Sequence, residues 1–393
     1  MRSGGVDPSN RVDGTPAAID PSPLPGASMP ALIQPLPDGP LDIIGDVHGE
    51  LSALRSLILR LGGDPDTGRL ARPIVFVGDL VDRGPDSPGV IRLVRRLVES
   101  GQASCVIGNH ELNILQGERK EGNGWFFGDA DDGYQWRDER GQGHHLAFDS
   151  VPPDPAEVAE IRAFLDSLPL ALVRPDLRVV HACWHEASIR ALPNEGSVGE
   201  LVNAAEAQVD ARLQAEGILA AAAAERLQWA GLKDPGARPD RHLPAEQARN
   251  ARQQNDNPWR VLTSGLEQLI EPGSHFFVGG RWRFVARAPW WEAYDEDAAV
   301  VVGHYWRRRE APVPGKVDVF RAESPWHWAG PRGTVFCVDY SVGRRFIQRA
   351  FRGTGPEGFA GGLAALRWPE RHVVFDDREG EIRTQGFGTP PAR

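Results

Sequence analysis

The sequence predicts an α/β fold built around parallel strands, and three observations support this. Short apolar runs alternate with amphipathic segments between residues 41 and 107, each apolar run ends in a polar, glycine-flanked motif, and 393 residues can bury a large core. Strands that alternate with helices favour parallel pairing through right-handed crossovers. Ligands bind beyond the carboxyl ends of such strands. We therefore expect a site where these polar motifs meet.

The first βαβαβ unit can be followed residue by residue. An apolar strand over Leu41–Gly45 precedes a helix over Glu50–Leu61, in which leucine and isoleucine recur at helical spacing. The second apolar run is Ile74–Val77, and a helix over Val90–Val98 leads to the third run, Ser104–Ile107. This order predicts three neighbouring strands whose carboxyl ends lie together.

The rest of the chain is predicted to extend this domain. A helix over Ala156–Leu168 precedes two paired strands, and residues 190–258 are rich in Ala, Glu, Gln and Arg, which indicates a helical insertion. That insertion could cap the site, contact a partner or be a solvated arm. The predicted strands outside the first unit are Leu170–Val173, Leu177–Val180, Phe276–Val278, Trp282–Ala286, Ala298–Val302, Val335–Val338 and Val373–Phe375.

The two ends of the chain have a different composition. Residues 1–40 contain nine prolines and show no sustained period, which predicts a disordered leader, and we hypothesise that translation begins at Met29. Residues 377–393 are polar and contain Gly and Pro, which predicts a loose tail. Residues 41–376 then form the folded part, as one large domain with insertions or as two smaller domains.

Composition excludes some classes of function. The formal net charge is −10 and the pI about 5.6, which argues against a protein that coats nucleic acid or binds an anionic membrane. The three cysteines, Cys105, Cys183 and Cys337, lack metal-binding spacing, so we expect buried, reduced thiols in a cytoplasmic protein. No apolar run is long enough for a membrane span, and no secretory signal is evident.

Residues 117–147 are rich in Gly, Asp and aromatic side chains, and we expect them to form a long loop that faces the substrate. Asp129, Asp131 and Asp132 resemble part of a calcium loop, but its glycine is out of place and its final glutamate is missing. The pair His144-His145 could supply a further metal ligand, although surface histidines are commoner.

The motifs at the strand ends contain metal-binding residue types. These are carboxylates, an amide and imidazoles: Asp46, His48, Asp79, Asn109, His181 and His304. Mixed oxygen and nitrogen ligands suit Mn, Fe, Zn, Co or Ni. Six such residues can hold two divalent ions if one carboxylate bridges them, and the central Asp79 is the candidate bridge. Two ions about 3.5–4 Å apart can convert a bridging water into hydroxide that attacks phosphorus.

Three of these motifs resemble those of a known family. Gly45-Asp46-Val47-His48-Gly49, Gly78-Asp79-Leu80-Val81-Asp82-Arg83-Gly84 and Gly108-Asn109-His110-Glu111 are similar to the signature motifs of the calcineurin-like metallophosphoesterases. More narrowly, they resemble the phosphoprotein-phosphatase branch, which includes Ser/Thr protein phosphatases and bacterial symmetrical diadenosine tetraphosphatases. The resemblance covers residues 41–184 and returns at Gly303-His304.

This resemblance implies a metallophosphoesterase β-sandwich flanked by helices, with the helical insertion added to it. It implies that Asp46 and His48 bind one ion, that Asp79 bridges, and that Asn109, His181 and His304 bind the second. By the same resemblance, His110 paired with Asp82 is the general acid, Arg83 is the phosphate clamp, and Asn109 also contacts substrate. Manganese is the metal that we expect first, with Fe, Zn, Co or Ni as alternatives.

The sequence departs from the family where substrate would bind. Trp184, Tyr305 and Trp306 stand near metal-ligand motifs that have small residues in the family, which predicts a reshaped rim. Arg283 and Arg287 are candidates for a second phosphate-binding arginine. We expect a phosphomonoesterase acting on phosphoserine or phosphothreonine, whose partner is a phosphorylated protein or a small phosphate ester. The alternatives are hydrolysis of dinucleoside polyphosphates and a catalytically inactive scaffold that recognises phosphate.

Overall fold

A computed structural model describes residues 30–137, 142–234, 236–278, 281–310, 319–320, 324–352 and 358–389. The strands in these ranges are β1 Ile33–Pro35, β2 Leu41–Ile44, β3 Ile74–Phe76, β4 Ala103–Cys105, β5 Gly133–Arg137, β6 Gly143–Ala147, β7 Ala171–Arg174, β8 Leu177–Val180, β9 Glu267–Leu269, β10 Phe276–Val278, β11 Arg281–Arg283, β12 Val285–Arg287, β13 Ala299–Val302, β14 Val335–Cys337, β15 Ala364–Trp368, β16 His372–Phe375 and β17 Glu381–Arg383.

The helices are α1 Leu51–Arg60, α2 Ser87–Glu99, α3 Asn109–Leu115, α4 Gly124–Phe127, α5 Val158–Asp166, α6 Glu186–Ala191, α7 Val198–Ala215, α8 Ile218–Gln228, α9 Pro244–Asn255, α10 Pro258–Ser264 and α11 Arg345–Arg352. Short 3₁₀ turns cover Trp290–Ala293 and Val342–Arg344. In the described part of the chain, no helix is both long and apolar enough to span a membrane.

Two main sheets face each other and form a sandwich. One has the order β17-β16-β15-β2-β3-β4 and the other the order β1-β7-β8-β13-β14. Inward-facing side chains of both sheets, such as Ile43, Val75, Val179 and Val301, form one buried cluster. Because side chains alternate along a strand, their neighbours face outwards and are covered by the flanking helices. The predicted α/β sandwich is confirmed.

The parallel pairings place the strand ends together. Strand β2 pairs in parallel with β3, and β3 with β4, so that Ile44, Phe76 and Cys105 lie side by side. In the second sheet β13 runs parallel to both β8 and β14. The polar motif after each of these strands therefore reaches the same edge of the sandwich.

Both predicted chain ends need correction. Ile33–Pro35 is not a disordered leader, because it pairs in parallel with β7 as an edge strand, where proline is tolerated. The tail beyond residue 376 is not loose, because β17 pairs with β16 and Asp377 forms an ion pair with the buried Arg309. Residues 1–29, including Met29, and residues 390–393 lie outside the described residues.

The 117–147 stretch is more regular than a loop. It contains helix α4 and the antiparallel hairpin β5–β6. The carboxylate of Asp132 accepts hydrogen bonds from the backbone amides of Gly122 and Gly124, so it organises a turn. Nε2 of His145 bonds to the carbonyl of Asp131. The Phe148 ring packs on Phe346 of α11, which fixes the hairpin beside the carboxyl-terminal part of the chain.

Helices α7, α8 and α9 occupy the predicted 190–258 insertion, and their helical character is as expected. The insertion is tied to the domain by the ion pair between Arg260 and Glu206 and by Gln247, whose side chain donates to the carbonyls of Ile270 and Phe284. Helix α10 follows directly, and its Leu262 carbonyl accepts a hydrogen bond from the amide of Ala182. The end of the insertion is therefore adjacent to the strand-end motifs.

Candidate metal centre

Asp79 lies at the centre of the strand-end motifs. Its Oδ2 is 3.3 Å from Nε2 of His181 and 3.9 Å from Nε2 of both His48 and His110. Two groups of potential metal donors share this residue, one with His48 and His110 and the other with His181 and His304, and the donor atoms of each group lie within 4.8 Å of one another. Asp79 is thus the donor that the two groups have in common.

Glycines flank these motifs because the carboxylates need their space. A Cβ atom added to Gly108 would collide with the side chain of Asp79, and one added to Gly303 would collide with that of Asp46. The Asp46 carboxylate also accepts a hydrogen bond from the amide of His304 at 3.0 Å. The close approach of backbone to carboxylate explains why only glycine fits there.

Backbone carbonyls set the tautomers of two imidazoles. Nδ1 of His48 donates to the carbonyl of Val81 at 3.1 Å, and Nδ1 of His181 donates to the carbonyl of Val77 at 2.7 Å. A carbonyl can only accept, so the proton of each neutral ring is on Nδ1. Nε2 of His181 then faces Asp79 at 3.3 Å without a proton, as in metal-binding histidines, and Nε2 of His48 faces both Asp79 at 3.9 Å and Nη1 of Arg83 at 3.1 Å.

Asn109 and His304 face each other. A terminal atom of the Asn109 amide lies 2.8 Å from Nδ1 of His304, next to the carbonyl of Thr263 in α10. With the amide nitrogen at this position, Asn109 donates to Nδ1; with the oxygen there, Nδ1 either donates to that oxygen or binds the same cation. Nε2 of His304 is buried and has no partner in the described structure. Both features fit a metal ion at this position.

The centre buries several negative charges. Burial, reinforced by Asp339 and Asp79, raises the pKa of Asp46 well above its usual value. Burial also acts to raise the pKa of Asp79, but the imidazoles of His181, His110 and His48 outweigh it and hold that pKa well below its usual value. Buried carboxylates need compensating positive charge. Divalent cations would supply that charge, and the oxygen and nitrogen donors present here suit the ions expected from the sequence.

Backbone strain is concentrated at the centre. Positive φ angles occur at non-glycine residues of the site: His48 (46°), Asp79 (48°), Asp82 (77°), Arg83 (68°), His304 (71°) and Trp306 (52°). L-amino acids rarely adopt this conformation, and such residues cluster at functional sites when the surrounding fold enforces it. The fold therefore orients these side chains towards the centre at a cost in backbone conformational energy.

Glu111 is a positioning residue that motif spacing alone did not single out. Its carboxylate accepts hydrogen bonds from the backbone amides of Asp79 (2.9 Å), Leu80 (2.8 Å) and Gly108 (2.8 Å). Burial and the nearby charge of Asp79 raise the pKa of Glu111 to about 7. Three amide donors converging on one carboxylate hold the second and third strand-end motifs together. The only sequence signal was its place directly after His110.

His110 and Asp82 form the expected pair. Nδ1 of His110 lies 2.5 Å from Oδ2 of Asp82, whose other oxygen accepts from Nε1 of Trp125 at 2.8 Å. Asp82 is completely buried, and both of its carboxylate oxygens are engaged. Nε2 of His110 is consequently turned towards Asp79. The role of Trp125 was not predicted; it belongs to the aromatic stretch assigned to substrate.

The predicted arginines have different positions. Nη1 of Arg83 lies 3.1 Å from Nε2 of His48, so its guanidinium is at the centre. Burial, together with the charge of Arg287, lowers the pKa of His304 well below its usual value. Arg283 is in the β10–β11 hairpin, where its Nε bonds to the carbonyl of Val278 at 3.4 Å. The structure thus brings Arg83 into contact with an imidazole of the centre.

The expected aromatic rim is reduced to one residue. Trp184 and Tyr305 are buried, with the Tyr305 hydroxyl 2.9 Å from Nε1 of Trp290, so they belong to the core. Trp306 alone among the three is half-buried, and its ring centroid lies 5.6 Å from that of His48. The three cysteines are buried and free, as predicted.

Comparison with known proteins agrees with this geometry. Residues 39–182 match the family model of the calcineurin-like phosphoesterases. An asymmetrical bis(5'-nucleosyl)-tetraphosphatase of Oceanobacillus iheyensis is 50% identical over 74 residues, 18% of this chain and 30% of that protein. A symmetrical bis(5'-nucleosyl)-tetraphosphatase of Ralstonia nicotianae is 43% identical over 76 residues, 19% of this chain and 24% of that protein. The matches thus span less than a third of each relative's length.

A solved structure of a cold-active protein-tyrosine phosphatase from a psychrophilic Shewanella species aligns with 89% of this chain and 83% of its own, at 15% identity and a TM-score of 0.41. A similarity at this level has no bearing on substrate. The family match covers all three motifs, as well as strand β3 before Asp79 and strand β4 after it. Residues 39–182 of this chain therefore resemble the calcineurin-like phosphoesterases in sequence.

Proposed function

We propose that this protein is a binuclear metal-dependent phosphoesterase. The observation that carries the proposal is that two groups of metal donors share Asp79, next to a paired His110 and the guanidinium of Arg83. Asp46 and His48 would hold one ion, and Asn109, His181 and His304 the other, with Asp79 between them. Two bound divalent ions would supply Lewis acidity for phosphoryl oxygens and an acidified water.

The protein's own side chains would perform two further tasks. Arg83 would bind phosphoryl oxygens, because its planar guanidinium matches them and lies beside His48. His110 would donate a proton from Nε2 to the leaving oxygen, since its Nδ1 is engaged by Asp82. The carboxylate of Asp82 stabilises the positively charged imidazolium that must form before this transfer.

The substrate we propose is a dinucleoside polyphosphate. This choice is supported by two relatives that carry the name bis(5'-nucleosyl)-tetraphosphatase. Phosphoserine and phosphothreonine esters, the expectation from sequence, remain the second candidate, because a metal centre of this kind is able to hydrolyse either. An inactive scaffold is less well supported, since His48, His181 and His304 lie around Asp79 and His110 is paired with Asp82. A cytoplasmic location and the preference for manganese also remain predictions.

The proposal is tested with purified protein loaded with Mn²⁺. We expect hydrolysis of para-nitrophenyl phosphate, and we expect Asp79→Asn to abolish it and to lower the metal content of the protein. Asp297→Asn, an exposed residue paired with Arg332, is the matched control and should keep full activity. Full activity in Asp79→Asn would contradict the shared-carboxylate assignment. Bound metal without turnover of any ester would favour the scaffold.

A substrate panel decides between the two substrate classes. Diadenosine tetraphosphate and a phosphoserine peptide are compared by kcat/KM under the same metal conditions. A higher value for the dinucleotide supports the proposal. A higher value for the peptide contradicts it and restores the expectation from sequence.

A further inference from the structure

Two guanidinium groups share the ring of Trp306 beside the metal centre. The guanidinium carbon of Arg83 lies 4.7 Å from the ring centroid, and that of Arg344 lies 5.6 Å from the same centroid. Arg83 also reaches Nε2 of His48, whereas the side chain of Arg344 is exposed. Arg83 is therefore the inner cation and Arg344 the outer cation of one short row.

Neither cation forms an ion pair in the described part of the chain, although the charge of Glu121 acts on Arg83 and that of Asp339 on Arg344. The adjacent Arg345, in contrast, is buried and forms ion pairs with Asp376 and Asp377. Two guanidinium groups that contact the same ring repel each other, so an anion that contacts both is favoured.

Asp339 joins the two backbone segments that carry Trp306 and Arg344. Its carboxylate accepts hydrogen bonds from the amide of Trp306 at 2.6 Å and from the amide of Ser341 at 2.8 Å. The hydroxyl of Ser341 in turn donates to the carbonyl of Arg307 at 2.9 Å. The segment that carries Trp306 is thus tied to the 3₁₀ turn that carries Arg344, and both Trp306 and Ser341 adopt positive φ angles.

The turn is also fixed against the metal centre. Gly343, next to Arg344, lies so close to His48 that an added Cβ atom would be 2.5 Å from Cδ2 of that ring. On the other side, Phe346 packs against Tyr134 of the β5–β6 hairpin. The exposed end of the cation row is therefore built on rigid elements, as a specificity site requires.

This geometry points to a second phosphate subsite: we propose that Arg344, supported by Trp306, binds the phosphate that follows the reacting one and so selects substrates with linked phosphates. The inference rests on the proposed function, because Arg83 must bind the reacting phosphoryl group. A single phosphate on Arg83 leaves Arg344 without a ligand. A chain of phosphates, whether in a nucleotide or inorganic, can contact both guanidinium groups.

The test uses Arg344→Gln, Arg344→Lys and, as a matched control, Arg332→Gln, which removes an exposed guanidinium paired with Asp295 and Asp297. Values of kcat/KM are measured for diadenosine tetraphosphate and para-nitrophenyl phosphate. Loss of a charge-assisted contact predicts that Arg344→Gln lowers the ratio of the two values about tenfold. Arg344→Lys should restore most of the ratio, and Arg332→Gln should leave it unaltered.

A binding experiment separates this inference from the proposed function. Calorimetry on the metal-free full-length protein compares inorganic tripolyphosphate with orthophosphate, and the preference for tripolyphosphate should fall about tenfold in Arg344→Gln. If the unmutated protein hydrolyses neither ester, the proposed function fails while this experiment still decides the subsite. An unaltered preference in both experiments would overturn the inference. A lower relative kcat/KM for diadenosine tetraphosphate with an unaltered binding preference for tripolyphosphate would also overturn it, because Arg344 would then recognise the nucleoside.

Discussion

The hydrogen bond between Asp82 and His110 gives the sharpest test of the proposed chemistry. Asp82→Asn preserves size but replaces a carboxylate oxygen by an amide, so the imidazolium of His110 loses its countercharge. Because the bond is 2.5 Å long and Asp82 is completely buried, we expect it to contribute near the upper end of the range for charged groups. That range is about 1.5–3 kcal/mol, or roughly 10- to 150-fold in rate.

The assay compares two esters that differ in their leaving groups. Methyl phosphate has a poor leaving group that needs a proton, whereas para-nitrophenyl phosphate has a good one that needs it much less. We expect Asp82→Asn to lower kcat about a hundredfold on the first ester and several times less on the second. The metal content of the variant is measured by mass spectrometry, so that a loss of ions is not mistaken for a loss of acid catalysis.

Trp125→Phe is the graded control. It removes the hydrogen bond from Nε1 to the other oxygen of Asp82 but leaves the carboxylate charge in place. Loss of one such bond, about 1 kcal/mol, predicts a roughly fivefold lower kcat on methyl phosphate. An equal loss on both esters in Asp82→Asn, at unchanged metal content, would refute a proton-donating role for His110.

Three further predictions concern the architecture of the centre. Gly343→Ala should lower the free energy of unfolding by about 1–3 kcal/mol in denaturant melts, because the added Cβ atom meets the ring of His48. The control is Gly143→Ala, whose added Cβ atom meets no atom within 4 Å, and equal stabilities of the two variants would contradict the packing. Glu111→Gln should lower the free energy of unfolding by about 3 kcal/mol, since an amide cannot accept from all three backbone donors of Glu111. A decrease below about 1 kcal/mol would contradict the positioning role of Glu111. Mn²⁺ at about a hundred times its Kd should stabilise the chelator-treated protein by about 2.7 kcal/mol, because it compensates the buried carboxylates. Calorimetry would show this as a Tm several degrees higher, and an unshifted Tm would exclude tight metal binding.

Several features could be predicted from the sequence because they depend on local patterns. Strands and helices of the first βαβαβ unit follow from the spacing of apolar residues, and parallel pairing then requires Asp46, Asp79 and Asn109 to share one edge of the sheet. The types of donor group alone indicated a site for divalent ions. These arguments need no knowledge of distant contacts.

The tertiary structure decided what depends on residues far apart in the chain. Asp46 and the amide of His304 are 258 positions apart and in contact, and the carbonyls that orient His48 and His181 carry no side-chain signal. Composition predicts unstructured ends where strands β1 and β17 lie, because pairing through the backbone does not depend on composition. The placement of Arg344 on Trp306 likewise could not be inferred. Spacing along a strand specifies which residues reach an edge, but only packing between sheets specifies what they meet there.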